Sequence, residues 1–162
     1  SNENKYFKNI KSMKKVFFAI ILICCFCSVK AQKAIAWQAL NDVTWKRSYV
    51  KALDGYYDVA RFGASIEALN NKEISIKGFY VPIDMEGKIF ALSKSPSNMC
   101  FFCGTGGIET VMEIFVKKGH KELKRVKTDK YIEIKGILRL NRNDPYHLMY
   151  MLYDAELVRV IK

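Results

Sequence analysis

A mainly β fold with little helix is what this sequence predicts, and two observations from Lys72 onward predict it. The period-2 signal of a half-buried strand dominates there, clean in Glu73 to Lys77 and again in Tyr131 to Leu140, and five segments in all read as strands. Two of them, Ile74-Ser75-Ile76-Lys77-Gly78 and Ile132-Glu133-Ile134-Lys135-Gly136, share the pattern I-x-I-K-G. Glycine inside a strand weakens it unless the strand must bend or coil, as strands do at barrel corners. Five strands with such glycines in the first and fourth fit a five-stranded OB-like Greek-key barrel, where those two strands are long, coiled and adjacent.

Taken in order, the chain opens with residues 1–12, an extension ahead of Met13. Met13-Lys14-Lys15 is positive, Val16 to Cys27 is an unbroken apolar run, and Ser28-Val29-Lys30-Ala31 ends in small residues. This order of features reads as a secretory signal peptide cleaved after Ala31, which places the mature chain in the periplasm or outside the cell. The 12 apolar residues fall short of the roughly 20 a membrane-spanning helix needs. Residues 32–71 form an N-terminal arm rich in aromatics, with a short helix expected around Ala36 to Leu40 and a strand around Val43 to Tyr49. Its Trp37 and Trp45 are expected to pack into the core, where large rings bury most area.

The barrel itself is expected over 72–162. Glu73 to Val81 alternates up to Pro82, Asp84-Met85-Glu86-Gly87 is a turn, and Lys88 to Leu92 returns. Thr110 to Lys117, Tyr131 to Leu140 and Met149 to Val160 supply the other three strands.

With 162 residues and 50% hydrophobic content, the chain is long enough for one cored domain and too apolar to be disordered. The whole chain carries a formal charge of +11; from Gln32 onward 21 basic residues face 15 acidic ones, leaving +6. That moderate excess suits an unknown acidic envelope protein or an anionic surface, and export argues against a nucleic acid partner.

Cleavage would remove Cys24, Cys25 and Cys27, leaving Cys100-x-x-Cys103 as the only thiols. Three chemistries suit the pair. In an oxidising compartment it closes a small structural disulfide. As half of a metal clip it presents two thiolates to one tetrahedral ion, zinc being the cofactor such a set accepts. His147 is the candidate further ligand, with His120, Glu109 and Asp144 as other donors in reach of the argument. As a redox pair, a cysteine of lowered pKa would attack a substrate disulfide. The flanks lack the strand-to-helix setting usual for that chemistry.

Gly104-Thr105-Gly106-Gly107 lacks the Gly-Lys-Ser/Thr of a phosphate loop and reads as a flexible exit from the cysteine turn. The connection from Val116 to Lys130 concentrates Lys117, Lys118, Lys121, Lys124, Arg125, Lys127 and Lys130, with one or two helical turns expected over Lys121 to Lys127. It reads as a docking patch for an anionic partner or as a solvated loop. No Ser-His-Asp pattern, paired-carboxylate motif or H-E-x-x-H supports a hydrolase.

Several strings resemble a functionally uncharacterised family of small exported bacterial envelope proteins with an OB-like barrel. They are Ile76-Lys77-Gly78-Phe79-Tyr80-Val81-Pro82-Ile83-Asp84, Phe90-Ala91-Leu92-Ser93 with Cys100-Phe101-Phe102-Cys103-Gly104, Gly136 to Asn141, Asp144-Pro145-Tyr146, and Leu152 to Leu157. The resemblance spans about 62–160 and implies compartment and fold, and for some relatives a place beside metal-uptake machinery. The expectation is an exported, non-catalytic binding module that handles zinc through the Cys100-x-x-Cys103 loop. The alternatives are a periplasmic thiol-disulfide oxidoreductase using the same pair, or a structural disulfide in a partner-binding domain.

Overall fold

The computed structural model describes residues 32–83, 89–96 and 107–161. The strands are β1 (Lys33–Ala34), β2 (Val43–Val50), β3 (Gly55–Phe62), β4 (Glu73–Pro82), β5 (Phe90–Ser93), β6 (Val111–Val116), β7 (Tyr131–Leu140) and β8 (Tyr150–Val160). Among the described residues helix is nearly absent, with one α-helical turn, α1 (Ala64–Glu67), and short 3-10 turns. The N-terminal signal-like segment, the 84–87 turn and the Cys100/Cys103 pair lie outside the described residues.

Strands β4 to β8 close into a barrel. β4 pairs with β5, β5 with β6, β6 with β8, β8 with β7, and β7 returns to β4. Counted along the chain, the barrel order is first, second, third, fifth, fourth, with β6 and β8 parallel and the other pairs antiparallel. This is the five-stranded OB-like Greek key expected from the sequence. β1 adds to the sheet as a short parallel strand beside β4.

The period-2 alternation sorts the side chains. Ile74, Ile76 and Tyr80 of β4, Met112 and Ile114 of β6, and Ile132, Ile134 and Leu138 of β7 point into one buried core. The two I-x-I-K-G segments lie directly against each other: Ile74 faces Gly136, Ile76 faces Ile134, and Gly78 faces Ile132. Each glycine is sterically required. A Cβ on Gly78 would sit 2.6 Å from the Ser93 carbonyl oxygen, and one on Gly136 would sit 2.6 Å from that of Tyr153. At Gly78 β4 passes from its β7 partner to its β5 partner, and opposite Gly136 the β7–β8 register shifts, with Asp154 at φ 50.

The arm closes part of the barrel. Trp37 and Leu40 of a 3-10 turn, with Ile66 and Leu69 from α1 and the turn after it, join the core. Trp37 Nε1 donates to the Lys77 carbonyl at 2.8 Å, and the Tyr150 hydroxyl donates to that of Leu40 at 2.6 Å. The expected helix is thus a 3-10 turn, and the expected strand is the first half of a hairpin, β2–β3. Trp37 is buried as expected, whereas Trp45 is exposed, because it lies on a ribbon that reaches the core only at its base. On the far connection Leu123 fills the core from a single 3-10 turn, Leu123–Arg125.

Among the described residues the Tyr80 hydroxyl has no hydrogen-bond partner, and burial pushes its pKa up. Its ring stacks on Phe90 with centroids 5.0 Å apart.

Two outcomes follow. Gly136→Ala, which drives a methyl into the Tyr153 carbonyl, lowers unfolding stability by about 2–3 kcal/mol; an unchanged urea midpoint would show that the strands can part there. Tyr80→Phe, which removes a desolvated hydroxyl and keeps the ring, raises stability by about 1 kcal/mol; a loss instead would mean that the hydroxyl has a partner, such as a buried water.

Candidate functional site

The outer face of β6 continues the alternation that builds the core. With Met112 and Ile114 inward, Val111, Glu113 and Phe115 point outward. Glu113 is nonetheless 5% exposed. A carboxylate there must be paired, since an isolated buried charge is costly.

Its partners come from the β7–β8 loop. His147 Nδ1 lies 2.9 and 3.0 Å from the two Glu113 carboxylate oxygens, and the Leu148 backbone N–H donates to the second at 3.1 Å. A carboxylate only accepts, so Nδ1 carries the proton and, in the neutral ring, Nε2 holds the lone pair. Asp144 Oδ2 lies 4.0 Å from that Nε2.

The loop is held in shape by Asn141. Its side-chain amide donates to the carbonyls of Asp144 and His147, at 2.7 and 3.0 Å, while its Oδ1 accepts from the Asp144 N–H at 3.0 Å. Asp144 in turn accepts from the Tyr146 N–H at 3.0 Å. Such side-chain-to-backbone bonds are how Asn and Asp order a turn without regular structure.

A row of stacked groups crosses the same face. The Phe115 and Tyr153 rings are parallel at 4.4 Å, Arg139 sits 4.5 Å over Tyr153, and His147 lies 5.7 Å from Phe115. Arg139, Tyr153 and Phe115 come from β7, β8 and β6, so strand order sets the row. OB barrels bind on the face of their second and third strands and the adjoining loops; of this row Phe115 stands on the third barrel strand, β6, and His147 in the loop between the fourth and fifth.

The other sequence candidates lie elsewhere. His120 Nε2 accepts the Leu157 backbone N–H at 2.9 Å, and its Nδ1 lies 3.3 Å from Glu122. Leu148 and Leu157, the backbone partners beside His147 and His120, are nine residues apart along a nearly extended chain, on the order of 25–30 Å. One ion therefore cannot take both histidines. Glu109 acts on Tyr150, whose hydroxyl pKa burial raises, with the charges of Glu109 and Asp42 adding to the shift.

In the basic connection, Lys117 pairs with Glu156 at 2.7 Å, which raises the Lys117 pKa and lowers that of Glu156. Lys118, Lys121, Lys124 and Arg125 are exposed and stand outside the described ion pairs. Among the described residues no three metal-ligating side chains converge.

Sequence reasoning singled out His147 and missed Glu113, Asn141, Phe115, Tyr153 and Arg139. The signal for Glu113 was present: one acid in the apolar strand Thr110-Val111-Met112-Glu113-Ile114-Phe115-Val116, on the outward parity. No family model, curated protein or solved structure matches the chain.

A double-mutant cycle measures the central pair. Glu113→Ala and His147→Ala together should cost less than the sum of the single changes, with a coupling of about 1–2 kcal/mol in chemical unfolding. Strict additivity would show that the two groups do not interact in solution.

Proposed function

We propose that the chain is an exported, non-catalytic binding module that takes up zinc, with Cys100, Cys103 and His147 as ligands. The observation that carries this reading is the hydrogen-bonding of His147 Nδ1 by the buried Glu113 carboxylate. Metal-binding histidines ordinarily use one ring nitrogen while a carboxylate or carbonyl holds the other, which fixes tautomer and ring direction. Here that arrangement leaves Nε2 as the donor.

The donor chemistry fits. Two thiolates and an imidazole are a set that zinc accepts, with a carboxylate or water in the fourth position. The cysteines belong to the connection that enters β6 through Ile108–Thr110, and Glu113 stands in β6 itself. Bound zinc would act by joining the cysteine segment to the β7–β8 loop. Glu113 would hold the imidazole, and Asn141 would hold the loop that carries it. The stacked row of Phe115, Tyr153 and Arg139 would back the ring and limit its movement.

In the sequence the glycine-rich and β-rich flanks of Cys100 and Cys103 lack the strand-to-helix setting usual for thiol-disulfide exchange, and the signal-like N-terminus supports a compartment outside the cytoplasm. In that compartment a plain disulfide is the rival state of Cys100 and Cys103.

The test is the native mass of residues 32–162, prepared without reductant or chelator, followed by zinc titration of the reduced protein. The expected result is one zinc per chain with both thiols unoxidised. Cys100→Ser should abolish binding, and Glu113→Gln should weaken it by about 10–100-fold. A metal-free mass two hydrogens light, with no zinc uptake after reduction, would overturn the metal reading and leave a disulfide.

A further inference from the structure

The ribbon β2–β3 is a second feature, independent of the metal reading. Its two strands pair only with each other, from Val43 opposite Phe62 to Val50 opposite Gly55, so both outer edges are free of sheet partners among the described residues. The base is anchored: Ala60 is in the core, and Val43 and Phe62 pack against it. Phe62 also lies 5.9 Å from the Tyr150 ring, with Arg142 over its face. Beyond Ala60 no ribbon residue is buried.

That free part is aromatic and basic. Trp45, Tyr49, Leu53, Tyr56 and Tyr57 are each 38–65% exposed. Only Tyr49 and Tyr56 have an evident partner in each other, edge to face at 5.4 Å across the strands. The register sends Trp45, Tyr49 and Tyr56 to one face and Tyr57 to the other, while Leu53 stands in the turn. Residues 43–62 hold four basic side chains, Lys46, Arg47, Lys51 and Arg61, against Asp54 and Asp58. The Tyr49 hydroxyl is bonded to Asp54.

We propose that this ribbon docks the protein tip-first on an anionic lipid surface. A flat protein partner would meet one face of the ribbon, but the apolar groups occupy both faces and the tip. A soft interface that surrounds the tip can cover all of them. Tyrosine and tryptophan settle at headgroup level, and lysine and arginine are drawn to anionic headgroups.

The spacing fits that depth. Two residues of strand, about 7 Å, separate the Tyr49–Tyr56 level from Arg47, close to the roughly 5–10 Å by which interfacial elements sink. The ribbon does not cross the bilayer. Its eight-residue strands fall short of the about 9–11 that a spanning strand needs. Its free edges also require water. Trp45 and Lys46 stay near the rim of the interface, and the barrel remains in solvent.

The experiment uses residues 32–162, which contain every described core residue. Flotation is measured with vesicles of phosphatidylcholine alone and of phosphatidylcholine with about one-third phosphatidylglycerol. The expected result is binding to the anionic vesicles, weakened about tenfold or more by molar salt. Leu53→Glu with Tyr56→Glu, checked for unchanged near-ultraviolet circular dichroism, should lose binding at least about tenfold, whereas Lys121→Glu with Lys124→Glu should retain it.

Absence of flotation with anionic vesicles overturns the proposal. So does flotation that survives the tip variant and fails in the Lys121/Lys124 variant, which would assign binding to the β6–β7 connection. Tip-dependent self-association without vesicle binding would make a second copy of this chain the occupant, and would overturn it equally.

Discussion

A sheet of five strands closes on itself only if a strand can serve two neighbours while turning through the corner of the barrel, and β4 does this at Gly78. Before that residue its partner is β7; after it, β5. The backbone of β5 passes so close that even one carbon on Gly78 would meet the Ser93 carbonyl. Gly136 plays the same part in β7, where β8 approaches and shifts register. Strand number and stagger set the barrel radius, and the two glycines let the strands approach closely enough at the corners for that stagger to close. The buried Ile76–Ile134 pair lies midway between the two glycines.

The outer face inherits its order from that closure. Because β8 enters between β6 and β7, three residues distant in sequence, Phe115, Tyr153 and Arg139, come to lie in one row. The β7–β8 loop then returns over β6 and brings His147 to Glu113. A buried carboxylate is tolerated there because an imidazole and a backbone N–H answer it. The same pairing that permits the charge also orients the ring.

Much of the barrel was legible because its signals are local. Alternation, with β-rich composition for Thr110 to Lys117, located the five strands to within a few residues, and the repeated I-x-I-K-G marked both corners; the structure adds that the two copies face each other antiparallel. What escaped is long-range or ambiguous at short range. Adjacent Tyr56 and Tyr57 with Asp54-Gly55 read as an interrupted arm, yet Asp54 adopts φ 47 and turns the chain into β3. The helical turns expected over Lys121 to Lys127 shrink to one 3-10 turn, since a single inward Leu123 suffices to fill that end. The Glu113–His147 contact joins residues 34 apart, and no periodicity within a strand reports what a loop will lay across it. The cysteine pair is plain as a motif, but its oxidation state is set by surroundings rather than spacing.

The place of β8 between β6 and β7 also governs when the chain can become a barrel at all. β8 is the last described strand to be synthesised, and the parallel β6–β8 seam has no hairpin to help it form. Until Tyr150–Val160 is available, β6 lacks one neighbour and β7 lacks one, so the nascent chain holds a partial sheet with open edges. Closure therefore waits for β8, whose pairing with β6 is non-local in sequence, and such pairings form more slowly than successive hairpins. Until then β6 and β7 present the open edges that a chain built from successive hairpins would already have covered.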